Sequence, residues 1–205
     1  MKVERKSEHA ISEAGAKAAT GKTLEQWFKL IDGKGGVEAG RREIGQWMQG
    51  ELKVDPWWAT TIMCEYEIAR GAREKDGKPK GYTICATKSI KADANACYAA
   101  FADKAALNRW FGPGHDADIR DGGHWRNADG NRATIKKASP GKNIRLTWED
   151  ADLTMPTPVE IKFQPVGPKT TVMVTLDRLQ TRAEADGYRR AWGEALDRLK
   201  STLET

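Results

Sequence analysis

The hydrophobic rhythm of this chain changes twice. Up to about Gly71, apolar side chains recur at helical spacing. Leu24, Trp27, Phe28 and Ile31 form one stripe, Ile44, Trp47 and Met48 a second, and Trp58, Ile62, Tyr66 and Ala69 a third. Start and stop signals bracket these stripes. Ser7 can cap a helix running to Ala19, which Thr20-Gly21 would end. Thr23, followed three residues later by Gln26, makes a capping box. Gly33-Lys34-Gly35-Gly36 breaks the second helix, and a third is predicted from Val37 to Met48. Asp55 then caps a fourth, with Pro56 at its favoured first position. Four short helices carrying Trp27, Trp47, Trp57 and Trp58 can build a small aromatic core.

Between Ala72 and Gly81 the rhythm stops. Charged residues, Gly77 and Pro79 fill the stretch, which places a linker at 74–81 between an all-helical domain at 1–73 and a second domain at 82–205. From Tyr82 the period is two. Tyr82, Ile84 and Ala86 share one side of a strand. Short helices follow, one from Ala94 to Ala102 and one capped by Asp103 and ending near Trp110. Strands are then predicted at 117–120, 124–127, 132–137, 143–148, 159–164 and 170–179, separated by Gly, Pro and Asp turns. Ile144, Leu146 and Trp148 alternate, as do Val159, Ile161 and Phe163, so one face of an antiparallel sheet is apolar and the other wet. Helical period returns from Arg182 to Leu203, with Tyr188, Trp192, Ala195, Leu196, Leu199 and Leu203 on one stripe. The class is α+β: an antiparallel sheet closed by a long C-terminal helix, preceded by a small all-helical domain.

Charge and cysteine content narrow the function. The net charge is +5, yet residues 1–72 carry eleven cations and eleven anions, and residues 82–205 nineteen and sixteen. The excess is spread thinly, whereas gripping a phosphate backbone needs cations gathered on one face. Nucleic acid is therefore not the expected partner. The predicted fourth helix, taken to expose Glu65 and Glu67, argues the same way against a DNA-reading helix. Cys64, Cys85 and Cys97 form no Cys-x-x-Cys pair and read as isolated reduced thiols. The charged start, Met1 to Lys6, lacks the apolar core of a signal peptide, and no apolar run is long enough to span a bilayer. A cytoplasmic location is the expectation.

The second domain resembles a known family. The residues that carry the likeness are Ser89-Ile90-Lys91-Ala92 before a helix, Ala100-Phe101-Ala102-Asp103, Arg109-Trp110-Phe111-Gly112, Asp121-Gly122-Gly123, Leu146-Thr147-Trp148 and Trp192-Gly193-Glu194-Ala195-Leu196-Asp197-Arg198-Leu199. In this order they resemble the START-like (SRPBCC) superfamily, in the branch of homologues of the activator of heat-shock protein 90 ATPase. The resemblance implies a helix-grip fold, a long helix gripped by an antiparallel sheet with a cavity between them, and no universal catalytic residue. The first domain resembles a small helical domain of unknown function found in bacterial proteins. That likeness rests on Thr20-Gly21-Lys22-Thr23 with Trp27, on Pro56-Trp57-Trp58 with Tyr66-Glu67, and on Arg70-Gly71. It implies a bacterial source and no particular chemistry.

The residues expected to line the cavity are Trp110, Phe111, Trp125, Ile135, Leu146, Trp148, Phe163, Val172, Val174, Tyr188 and Trp192. An empty apolar hole of ~300 Å³ would cost ~7 kcal/mol. That rivals the ~5–15 kcal/mol stability of a whole domain. Either large side chains fill the space or a ligand or water occupies it. The first function expected is therefore non-catalytic binding of a small apolar or amphipathic molecule. A second is a protein-interaction or co-chaperone-like module with a filled core. A third is an enzyme acting in the cavity, which requires a titratable group in the apolar interior, and the sequence singles out none. No cofactor or metal is expected: His115, Asp116, Asp118, Asp121 and His124 read as a solvated loop rather than a ligand set. The acidic group Glu149, Asp150 and Asp152 reads as a solvated turn. Lys22-Thr23 lacks the first glycine of a phosphate loop, since Ala16 stands in its place.

Overall fold

Ser12, not Ser7, caps the first helix. Its hydroxyl accepts from Gly15 N at 3.0 Å, and α1 runs Glu13–Thr20. The computed structural model describes residues 1–7, 11–151 and 153–205. The chain divides into two compact units, Glu8–Tyr82 on one side and Met1–Ser7 with Thr83–Thr205 on the other.

In the helical unit, α2 (Leu24–Gly33) has the capping box expected of Thr23 and Gln26. The single helix predicted from Val37 to Met48 is instead α3 (Gly36–Gln46) running into one π-helical turn, Trp47–Glu51. Gly40, at φ 75°, interrupts α3 in a conformation that costs a residue without Cβ nothing. Helix α4 (Pro56–Ala69) begins where Asp55 accepts from Trp57 N and Trp58 N. Trp27, Ile31, Ile44, Met48, Ile62, Met63 and Tyr66 make the core. Trp57 and Trp58 remain half-exposed, edge to face at 5.0 Å, and Ala69 is exposed.

Two expectations fail here for one reason. Glu67 does not face solvent: it is fully buried, accepting from Arg41 Nε at 2.5 Å and Lys80 Nζ at 2.8 Å. A buried carboxylate is tolerable only with such partners. One of them comes from the stretch read as a linker. That stretch is folded onto the helices. Ala72 N donates to Glu67 O, Lys80 N to Ala72 O, Arg41 Nη2 to Gly81 O, and Arg73 bridges Pro79.

In the other unit seven antiparallel strands form one sheet: β1 (Tyr82–Ile90), β2 (Asp116–Ala117), β3 (His124–Arg126), β4 (Arg132–Ser139), β5 (Asn143–Glu149), β6 (Thr157–Val166) and β7 (Lys169–Leu179). Their order is β1-β7-β6-β5-β4-β3-β2. The predicted strand 117–120 shrinks to β2, because Gly123 N donates to Arg120 O and closes a turn there. Registers place Leu146 opposite Val159, Val159 opposite Leu176, and Phe163 opposite Val172. The alternation predicted for these strands therefore becomes one continuous buried face. Helices α5 (Ala94–Ala102) and α6 (Lys104–Trp110) follow β1, and α7 spans Arg182–Leu203. Tyr188, Trp192, Ala195, Leu196 and Leu199 of α7 are all buried.

Residues 1–7 lie along α7 rather than forming helix. Arg190 Nη2 donates to Glu4 O, and Ser7 Oγ to Asp186. Gly187 permits the approach, since a Cβ there would meet Glu4 O at 2.6 Å.

Candidate functional site: an aromatic interior with unpaired donors

The eleven residues expected to line a cavity come from the strands, from α6 and the residue after it, and from α7. Strands supply Trp125, Ile135, Leu146, Trp148, Phe163, Val172 and Val174. Trp110 ends α6, Phe111 follows it, and α7 adds Tyr188 and Trp192. All are buried. Phe111 is the hub. Its ring centroid lies 5.1 Å from Trp110, 5.1 Å from Trp125, 5.2 Å from Trp192 and 6.2 Å from Trp148. A second layer forms around Phe101, 4.7 Å from Trp110 and 5.4 Å from Phe163. Edge-to-face contacts at these separations are favourable, and the rings themselves take up much of the space between sheet and α7.

The polar atoms inside this cluster were harder to foresee. His115, expected in a solvated loop, is only 1% exposed, with its ring 5.3 Å from Phe111. His115 immediately precedes β2, whose first residue Asp116 is exposed. No local pattern marked the imidazole as buried, because the carboxylates around it made the segment look wet. Trp125 Nε1 donates to His115 Nδ1 at 2.8 Å. Burial, reinforced by the Met1 ammonium and opposed by Asp129, pushes the imidazole pKa down to about 4. The ring is neutral near pH 7, and because Nδ1 is accepting, its hydrogen is on Nε2.

Three N–H donors in this cluster are buried without an acceptor: His115 Nε2, Trp148 Nε1 and Trp192 Nε1. Trp148 Nε1 stands near the Tyr188 hydroxyl, yet outside hydrogen-bond geometry. By contrast, Trp110 Nε1 is satisfied by Ala100 O at 2.9 Å.

A polar rim closes one end of the interior. Asp150, read as part of a solvated turn, is half-buried, and its Oδ2 accepts from Tyr188 Oη and Asn131 Nδ2, each at 2.8 Å. Burial first, then the hydrogen bond to Asp150 and the charge of that carboxylate, raises the Tyr188 pKa, so the phenol stays neutral and donates. Outside Asp150 lies a groove of about 530 Å³ bordered by Gly130, Arg132, Leu153 and Met155. Glu184, buried at the start of α7, holds the loop over this end. It accepts from Thr154 N, Thr154 Oγ1, Gln180 N and Thr181 N. Asp152 of the acidic group lies outside the described residues.

The exposed part of the former loop cluster pairs with itself, Arg126 Nη2 reaching Asp116 at 2.6 Å and His124 Nε2 the same carboxylate at 3.2 Å. Among the described residues no three His, Cys, Asp or Glu side chains come together to hold a metal ion. Among them Cys64, Cys85 and Cys97 form no disulfide, with Cys64 and Cys97 buried and Cys85 exposed. No described helix is long and apolar enough to cross a membrane.

A long helix packed into a curved antiparallel sheet around an aromatic interior defines a helix-grip, START-like domain. Residues 91–204 match the family described as "Activator of Hsp90 ATPase homolog 1-like protein", and the chain belongs to that family. Solved structures share the fold. The Aha1 dimer from Colwellia psychrerythraea aligns at TM-score 0.54 and 22% identity over 60% of this chain and 96% of that one. CalU16 from Micromonospora echinospora aligns at 0.54 and 19%, over 59% and 75%. An Hsp90 activator from Plasmodium falciparum aligns at 0.53 and 17%, over 60% and 97%. No curated protein sequence matches this one.

Proposed function

We propose that the helix-grip unit binds a small apolar or amphipathic molecule in its interior, without covalent chemistry. The observation that carries this reading is the set of N–H donors buried among rings without a hydrogen bond, His115 Nε2, Trp192 Nε1 and Trp148 Nε1, the last beside the Tyr188 hydroxyl. Each buried unpaired donor costs ~1–3 kcal/mol. A guest with acceptor atoms removes that cost while its apolar body replaces ring–ring contacts. Native mass spectrometry of the protein purified from its source cells, compared with the denatured mass, tests the reading. A reproducible extra mass of a few hundred daltons, about fifteen to thirty-five non-hydrogen atoms, is the expected result. A bare mass, with no thermal shift across a panel of apolar ligands, counts against it.

That second outcome moves the weight to a protein-contact role. The observations favouring it are the dense ring packing of the interior and, in the helical unit, the half-exposed Trp57–Trp58 pair with Leu30 38% and Leu52 42% exposed. Such side chains are the kind that anchor protein interfaces.

A further inference from the structure

We propose that the outer face of the sheet, around an irregularity in β4, binds a phosphate monoester of a small hydroxylated molecule. Lys136, Lys137 and Arg145 take the phosphate, and Glu160 and Asp177 accept hydroxyl hydrogens from the body. The proposal is independent of the interior and needs no ligand there.

A β-bulge makes this cluster. Ile135 pairs with Leu146 and Lys137 with Arg145, so Lys136 is the extra residue on β4. Strict alternation would send one of two consecutive lysines into the core. The bulge instead leaves both exposed, in the groove that Arg145 also lines. Lys137 and Arg145 stand directly opposite each other, a pairing of like charges that costs stability. Among the described residues none of the three cations forms a salt bridge. Glu160, the other cross-strand neighbour of Arg145, is engaged by Lys162 Nζ at 3.1 Å and Asn143 Nδ2 at 3.4 Å. Cations gathered in this way repel one another when the groove is empty and are stabilised around a multivalent anion.

The rest of the groove selects the ligand. Its volume is about 460 Å³, in the range of small-molecule sites. Arg145 offers a planar fork to phosphate oxygens, and the lysines add point charges. A phosphate monoester carries nearly two negative charges where a carboxylate carries one, so it gains more from three cations. Glu160 and Asp177 border the same groove. Asp177 Oδ1 accepts from Thr83 Oγ1 at 2.8 Å, which leaves Oδ2 for a ligand. A nucleic-acid strand laid along the groove would bring further phosphates against these carboxylates. No aromatic side chain lines it to stack a base. A compact ester avoids that repulsion and donates its hydroxyl hydrogens to the same oxygens.

The test titrates the ¹⁵N-labelled full chain, at fixed ionic strength, with ribose 5-phosphate, glucose 6-phosphate and glycerol 3-phosphate. Inorganic phosphate, ribose and an oligothymidylate are the comparisons. The expected result is that at least one ester moves the Lys137 and Arg145 amide resonances and binds ~10-fold or more tightly than inorganic phosphate, the increment of about one charged hydrogen bond. Ribose alone leaves those resonances in place. Lys137→Ala and Arg145→Ala should each weaken the ester ~10-fold. Both side chains are exposed, so their loss leaves the fold intact. Inorganic phosphate binding as tightly as every ester overturns the proposal in favour of an unselective anion patch. Tightest binding of the oligothymidylate overturns it in favour of a nucleic-acid surface. If no ester moves these resonances, or the two alanine variants bind as wild type does, the assigned groove is wrong.

Discussion

His115 carries the sharpest consequence at the scale of single residues. In the folded chain it resists protonation to about pH 4, whereas an unfolded histidine takes a proton below ~6.5. Its contribution to stability is complete above pH 6.5 and is lost as acid is added between 6.5 and 4, because the unfolded state gains the proton first. The total is up to about 3 kcal/mol. Urea unfolding of wild type and His115→Phe across this window should show a steep fall for wild type and a shallower one for the variant. Parallel slopes would show that the imidazole is not held neutral. The candidate site was half legible at this scale. Its eleven apolar members follow from alternation and helical period, since each local pattern has one buried phase. His115 did not, because Asp116, Asp118 and Asp121 around it made the segment look wet. Nor did Asp150 and Tyr188 announce their hydrogen bond, which joins positions 38 residues apart.

At the scale of elements, two buried carboxylates fasten irregular chain to helices. Glu184 caps α7 through Thr181 and also receives Thr154 N and Oγ1 from the loop before β6. Replacing it with alanine strands those donors and should cost about 2–3 kcal/mol, as for charged hydrogen bonds. Hydrogen exchange at the Thr154 amide should accelerate in the variant more than exchange in β6 and β7. Uniform acceleration would mean that the loop is held by something else. Capping boxes at Thr23 and Thr181 and the Asp55-Pro56 start could all be read directly, since each acts within four residues. The break at Gly40 could not. A glycine within a helical pattern permits a left-handed turn without requiring one.

For the whole molecule, each unit owns a core: Trp27, Ile44 and Ile62 in one, the Phe111 ring cluster in the other. Calorimetry should resolve two transitions. Glu67→Ala removes the buried anion facing Arg41 and Lys80 and should destabilise the helical unit by about 3–5 kcal/mol. It should lower one transition and leave the other in place, and Phe111→Ala should do the reverse. A single transition moved by both variants would overturn independent folding. The change of hydrophobic period near Gly71 and Tyr82 was enough to separate a helical part from a sheet part, to order the strands in sequence, and to set which face of each is dry. These are local matters: a strand or helix has one periodicity, and the apolar phase must be buried. Tertiary structure alone decided that residues 1–7 leave the helices for α7, that Glu67 and Lys80 fold the supposed linker, and that three N–H groups end inside the rings unpaired. Each depends on which distant atom arrives opposite a polar group, and only the assembled packing sets that.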